Sequence, residues 1–361
     1  MRPIGRELVT SIGQVSPRVE TSRLADPLDT TQRGSDYAQL SRQIKRAGLL
    51  DRCTSYYAWK IAITVTLLIS GWVVFVLIGD SWLQLVAAGF LAVIFAQIAF
   101  LGHDAGHLQV FTSRRANYIL GVLIGGLGIG FSWEWWVVKH NRHHSHPNTD
   151  GADPDISFLL LALTDGQARS KGRFIRLAIK YQAYLIIPLM LLEGINFQVV
   201  SARSLSTRAS RNWPLEAALI GVHCVSYFVL VLLTLSPFKA IVFIAVNQGL
   251  FGLYLGLSFV PNHTGMAMLS KGDRTDYLRR QVLTSRNVRG GLFTDWILAG
   301  LNYQIEHHLF PSMPRPNLRR AQRLVESFCR QREIPYYQTD LITSYVEVFR
   351  HLDTISRTIR T

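Results

Sequence analysis

Eleven histidines stand in this 361-residue chain, and eight of them fall in four short places. His103 and His107 belong to HDAGH, and His140, His143 and His144 to KHNRHHSHPN. His263 ends PNH, and His307 and His308 end QIEHH. On a helix, residues i, i+3 and i+4 share a face. His103 and His107 are i and i+4, and His140, His143 and His144 are i, i+3 and i+4. Gln304, His307 and His308 repeat that second pattern with Gln in first place. Each box therefore aims its imidazoles at one point. A neutral imidazole nitrogen suits iron, zinc, copper or nickel. Eight of them exceed what one ion can use, so the pattern reads as a two-metal site. His146, His223 and His351 stand apart and read as ordinary histidines.

Composition indicates what must carry these boxes. The chain is 48% apolar and 17% charged, with mean hydropathy +0.18 and net charge +14. So apolar a chain is not disordered; the basic balance alone would suggest nucleic acid, but the positive mean hydropathy points to a membrane instead. Cys53, Cys224 and Cys329 lack CxxC spacing, and three thiols make neither a disulfide scaffold nor a four-thiolate iron–sulfur cluster. Uncharged apolar runs at about 61–79, 82–102, 217–235 and 240–261 each approach the ~20 residues that cross ~30 Å of hydrocarbon. Asp80-Ser81 and Ser236 to Lys239 are turns short enough to join them into two hairpins. Residues 118–133, with five glycines, and 183–192, only ten long, read as interfacial or re-entrant.

Of 38 Lys and Arg, 37 avoid the two hairpin turns. The positive-inside rule then puts the N-terminal segment, residues 103–216 and the chain after 262 in the cytosol. The boxes must meet, so an even number of crossings has to separate them, as two hairpins provide. The N-terminus lacks a signal-peptide core and is expected to stay cytosolic. The expected fold class is an all-α integral membrane protein. Four transmembrane helices in two hairpins carry a cytosolic helical cap that holds the histidines. Its parts are a cytosolic segment 1–55, a membrane domain 56–318 and C-terminal helices 319–361. Within the first, Tyr37, Leu40, Ile44 and Ala47 follow Ser35-Asp36, a candidate N-cap, at helical spacing. That amphipathic helix lies on the membrane surface or packs as an ordinary helix. At the C-terminus, Leu318, Ala321, Leu324, Val325 and Phe328 line one helical face. Leu341, Tyr345, Val348, Leu352 and Ile355 line another.

The boxes HDxGH, HNxHH with HPN, and QIEHH with LFP resemble those of the membrane fatty acid desaturase family. The resemblance runs from about Ile61 to Leu318. Gln304 heading the third box is similar to the front-end branch and its bacterial acyl-CoA or acyl-lipid relatives. The resemblance implies two iron ions with O2 as co-substrate. It implies ligand roles for His103, His107, His140, His143, His144, His307 and His308, with His263 supplied from the last span. It also implies that Asn262 holds a water at the metal, and that Gln304 is a weak ligand or a hydrogen-bond donor there. Many front-end members carry a fused cytochrome b5 domain with an HPGG haem motif. Here His146-Pro147 is followed by Asn148-Thr149, and the first 60 residues are few and polar. The expectation is no haem, no fused cytochrome b5, and electrons from an external donor of ferredoxin or flavoprotein-reductase type. The soluble desaturases use ExxH ligands, and no Glu here has His three positions later.

The expected reaction puts a cis double bond into an acyl-CoA or lipid-linked acyl chain in a bacterial plasma membrane. Asp104, Asp153 and Asp155 are candidates to orient the imidazoles from behind. Trp133, Trp135 and Trp136 are candidates for an acyl tunnel or for the interfacial aromatic belt. The basic cytosolic face suits anionic lipid, the phosphates of acyl-CoA or an acidic donor. An acyl-chain hydroxylase would use the same boxes. A metal transporter would need charged residues along the spans, which the four runs lack.

Overall fold

The computed structural model describes residues 30–360, with side chains from Asp36 onward. Most of the expected N-terminal segment, residues 1–29, lies outside the described part. Four helices are long and apolar enough to cross a membrane. They are α2 (Thr54–Ile78), α3 (Gln84–Gly106), α10 (Trp213–Thr234) and α11 (Pro237–His263). Each runs past its apolar run at the end that carries or faces the boxes, where polar residues continue the helix. Only Tyr57, Thr64, Gly71 and Phe75 of α2 are buried, a narrow seam. Ile63, Ile69, Val73 and Leu77 are 52–78% exposed. In water such a helix would aggregate; in lipid it is at home. α3 is buried almost throughout its length, packed between α2 and α11. A Cβ on Gly71 would stand 2.8 Å from Leu91, so glycine lets α2 approach α3 closely.

Polar side chains tie the spans. Asn247, wholly buried, donates to the Ala88 carbonyl at 3.0 Å and accepts from the Tyr227 hydroxyl at 3.0 Å. It thereby links α3, α10 and α11. At the ends away from the boxes, Asp80 Oδ1 accepts from the Ser236 amide at 2.9 Å, and Lys239 Nζ lies 3.2 Å from Asp80 Oδ2.

Between α3 and α10 the chain bends twice. α4 (Arg114–Val122) runs on as a wider π turn, Leu123–Gly128, then turns by 116° into α5 (Trp133–Ser145). Gly130 makes that corner with φ +73°, and a Cβ there would lie 2.5 Å from His223. α6 (Asp165–Ser170) follows, then α7 (Arg173–Ile179), bent by 92° from α8 (Gln182–Leu191), and α9 (Glu193–Ser206).

The remaining elements cover the box end. They are α1 (Thr30–Arg46), α12 (Tyr277–Leu283), α13 (Leu292–Ile297), α14 (Gln304–Leu309), α15 (Arg315–Gln331) and α16 (Leu341–Arg360). α1 starts ahead of Ser35-Asp36, so these residues are inside the helix and not its N-cap. Asp36 instead pairs with Arg279 at 3.4 Å. Leu40 and Ile44 are fully buried in a cluster with Leu318, Val325 and Phe328 of α15. Its apolar face thus packs on the protein. Two short strands depart from the all-α expectation. β1 (Asn287–Arg289) and β2 (Gln338–Asp340) pair in parallel, with Asn287 opposite Gln338.

Candidate metal centre

Four helices deliver the boxes to one place. α3 carries His103 in its last turn and hands on to His107, whose amide donates to the His103 carbonyl at 3.1 Å. α5 carries His140, His143 and His144, α11 ends on His263, and α14 carries His307 and His308. Nitrogens of His103, His107, His140, His144 and His307 lie within 4.8 Å of one another, and so do those of His143, His263 and His308. The structure thus brings all eight sequence-predicted histidines together, in one group of five and one of three. It sets the other three apart. His146 is exposed, His223 Nδ1 lies 3.0 Å from the Leu127 carbonyl, and His351 Nε2 lies 2.9 Å from that of Leu163.

The three-histidine group is held from behind. His143 Nδ1 donates to Asp153 Oδ2 at 2.9 Å, and Asp155 stands 3.6 Å away. His263 Nδ1 donates to the Thr284 carbonyl at 2.9 Å, and His308 Nδ1 to Gln281 Oε1 at 3.0 Å. Each acceptor fixes the proton on Nδ1, which leaves Nε2 with a bare lone pair. His263 Nε2 nevertheless lies 3.3 Å from His143 Nε2 and 3.1 Å from His308 Nε2. Facing lone pairs at that distance repel unless a cation lies among them. In the five-histidine group, His107 and His140 Nε2 are 2.9 Å apart, and His140 and His144 Nε2 are 3.1 Å apart. His103 Nε2 and His307 Nε2 are buried without a hydrogen-bond partner. Burial, then the mutual repulsion of the rings, holds His107, His140, His144, His307 and His308 well below the usual histidine range. Rings so held are neutral, the form that binds a metal. The donor set fits two ions of an imidazole-loving metal.

The other expected site residues distribute around this pair. Gln304 Nε2 lies 2.9 Å from His263 Nε2, and Gln304 Oε1 accepts from Asn262 Nδ2 at 3.2 Å. Asn262 Oδ1 is buried and unpartnered. Asp104 Oδ1 stands 3.5 Å from His103 Nδ1, while its other oxygen pairs with Arg315 at 2.6 Å. Asp155 pairs with Lys139. Trp136 stacks on His140, ring centroids 4.5 Å apart. Trp133 donates to the Gly102 carbonyl at 3.1 Å. Gly121 and Gly125 make room for its indole, since Cβ atoms there would fall 2.1 and 2.8 Å from it. With Ala99, His103, Phe197, Leu255 and Phe259, these two tryptophans wall an apolar cavity of about 20 Å³. Trp135 does not line it, and packs on Phe197 with Lys139 over its ring.

Several supporting residues carry no local signal in the sequence. Gln281 also donates to the His144 carbonyl at 2.9 Å, so one amide touches both groups. Asn148, third in HPN, donates to the His263 carbonyl at 2.9 Å and joins the end of α5 to the end of α11. Its own amide donates to Asp153 at 2.8 Å. Glu306, between Gln304 and His307, accepts from Asn287 at 2.7 Å and from Tyr336 at 2.8 Å. Burial pushes its carboxyl up to about 7. This anchors α14 on β1 and on the chain before β2. The HPN asparagine and the glutamate of QIEHH were the two such residues a motif could have flagged.

Long apolar helices that end on a buried polyhistidine centre define a helical membrane protein built around a metal site. The family model for fatty acid desaturase matches residues 80–340, and the chain belongs to that family. Membership makes it an oxidoreductase of fatty acyl chains. It is 29% identical over 330 residues to an acyl-lipid (9-3)-desaturase of Physcomitrium patens, covering 89% of this chain and 62% of that protein. It is 29% identical over 333 residues to a Delta(8)-fatty-acid desaturase of Euglena gracilis, covering 89% and 79%. A Delta(6)-fatty-acid desaturase of Caenorhabditis elegans is 28% identical over 340 residues, covering 90% and 75%.

Proposed function

We propose that the chain is an O2-dependent front-end acyl desaturase that makes a cis double bond with two irons. His103, His107, His140, His144 and His307 hold one iron, and His143, His263 and His308 hold the other. The observation that carries this reading is the convergence of eight imidazoles from four segments in two groups. Two irons so held supply O2 activation and removal of two hydrogens from adjacent methylenes, chemistry beyond any side chain here. The chain's own residues prepare that step. Asp153 and Asp155 hold the His143 ring, and Gln281 and the Thr284 carbonyl hold those of His308 and His263. Asp104 backs His103. Gln304 and Asn262 fill the side of the smaller group that no imidazole occupies, with the free Asn262 oxygen available to a water. Trp133 and Trp136 wall the cavity beside His103, where apolar surfaces exclude water from the reacting methylenes. At about 20 Å³ the cavity is small beside an acyl chain and would have to widen for substrate.

The topology is proposed as two hairpins, with 118–133 and 183–192 interfacial and 56–318 forming the membrane domain. The termini and the metal side face the cytosol of a bacterial plasma membrane, since 37 of 38 basic residues avoid the far turns. Electrons come from a separate ferredoxin or flavoprotein reductase. Expression in a host of defined lipid profile with a suitable reductase, followed by double-bond mapping, tests the reading. A new alkene at a fixed position is expected. Hydroxy-acyl product alone, or a tag at residue 150 accessible from outside, would overturn the chemistry or the topology respectively.

A further inference from the structure

A helix leaves its last carbonyls without partners of its own, and α11 ends on His263. The Val260 carbonyl takes only a long bond, 3.4 Å, from the Thr264 amide. The carbonyls after it are met from outside the helix. That of Pro261 accepts from Arg286 Nε at 2.7 Å, and that of Asn262 from the Arg286 amide at 2.8 Å. Asn148 donates to the His263 carbonyl, and Arg286 Nη2 to that of Thr264 at 3.0 Å. One residue thus grips the chain on both sides of His263. Arg286 lies just before β1 and is 1% exposed.

Pro261 adds a second weakness to this turn. It lacks the N–H that would bond the Leu257 carbonyl. The Tyr345 hydroxyl of α16 donates to that carbonyl instead, at 2.7 Å. α16 also reaches Arg286, whose Nη1 pairs with Glu347. Glu347 in turn accepts from the Tyr337 hydroxyl. Among the described residues, Glu347 is the one carboxylate within ion-pair distance of Arg286, and its side chain is 27% exposed. Desolvating a guanidinium is costly, and a single outward carboxylate offsets only part of that. Apolar side chains would fill the same space at less cost. What arginine adds is a rigid fork of donors at the negative end of a helix dipole.

We propose that Arg286, with Tyr345 and Glu347 of α16 behind it, is the positioning residue of the smaller metal group. It fixes the last turn of α11, and with it the His263 ring and the free Asn262 oxygen. The larger group takes no residue from α11, so loosening this turn acts on one metal and not on the other. This rests on the two-iron reading.

The test uses the full chain loaded with Mössbauer-active iron, whose two ligand sets should give two signals of equal area. In Arg286→Met one signal is expected to shift. Its iron should pass to a chelator about 10- to 100-fold faster, the range for lost outer support of a metal ligand. The other signal and its release rate are expected to stay as they were. Arg286→Lys, which keeps the charge and can reach one carbonyl, should recover part of the loss. Tyr345→Phe loses a single hydrogen bond and should act in the same sense, more weakly. Equal changes in both irons, or a fall in thermal stability with neither iron altered, would overturn the proposal in any of these variants. A second measurement needs no metal. In the metal-free chain, amide hydrogen exchange over residues 258–265 is expected to quicken in Arg286→Met, and unchanged exchange there overturns the proposal. Faster exchange, in a chain whose unaltered form binds fewer than two irons, would instead sink the two-iron reading.

Discussion

His143, His263 and His308 each have an acceptor behind the ring, whereas the five-histidine group has little of the kind. Among those five, His103 faces Asp104 at 3.5 Å, and His144 Nδ1 is buried with no partner. The larger group is defined by number, with five rings packed mostly edge to face at centroid distances such as 4.5 Å between His107 and His144. The smaller is defined by outer hydrogen bonds from α12, from the Thr284 carbonyl and from the loop after α5. Redundancy and orientation are two ways of fixing a metal. A site of five ligands tolerates the loss of one, while a site of three depends on the outer partners of each.

This contrast can be broken by experiment. The largest effect is expected from removing one ring of three. His308→Ala or His143→Ala should abolish product and release about one of the two irons, measured by metal analysis of purified protein. His107→Ala, one ring of five, should keep more iron, and equal losses in both would end the comparison. Next comes Asp153→Asn, which keeps the shape but weakens the support of His143. A drop of about 10- to 100-fold in iron affinity is expected in chelator competition. Asp155→Asn should do less, because the Asp155 side chain is 32% exposed and shares its charge with Lys139. Gln304→His adds a fourth imidazole to the smaller group. Its iron should then leave several-fold more slowly to a chelator, narrowing the difference between the groups; an unchanged release rate would show that Gln304 does not face the metal. The smallest effect belongs to Trp136→Leu. Loss of the stack on His140 should cost about 1 kcal/mol, seen as a modest fall in thermal stability of the metal-loaded protein.

Much of the site was legible in the sequence because its spacing is local. Three or four residues along a helix decide whether two imidazoles share a face, so the boxes declare themselves without tertiary information. The spans were legible for a similar reason, since hydrocarbon demands an unbroken run of apolar residues. Gln281, Thr284 and Arg315 were not, because each meets its partner across more than 20 residues of chain and belongs to no repeating pattern. β1 and β2 were invisible as well. Three residues are too few to show alternation, and the strands are held by the parallel pairing of segments some 50 residues apart. The start of α1 was misplaced because Ser35-Asp36 has the chemistry of a cap, yet Asp36 is engaged by Arg279 and Arg332.

His307 and His308 are neighbours on α14, yet one completes the larger group and the other the smaller. Neither group is whole until α14 has docked, and α14 lies about 160 residues beyond the box on α5. At typical rates of synthesis, roughly 5–20 residues per second, the nascent chain spends about 10–30 s with two unfinished sets of histidines at the membrane. Metal loading is therefore a late step in the life of each molecule. A chain cut short before residue 304 would insert its spans with four histidines of the larger group and two of the smaller, and so would hold at most one iron.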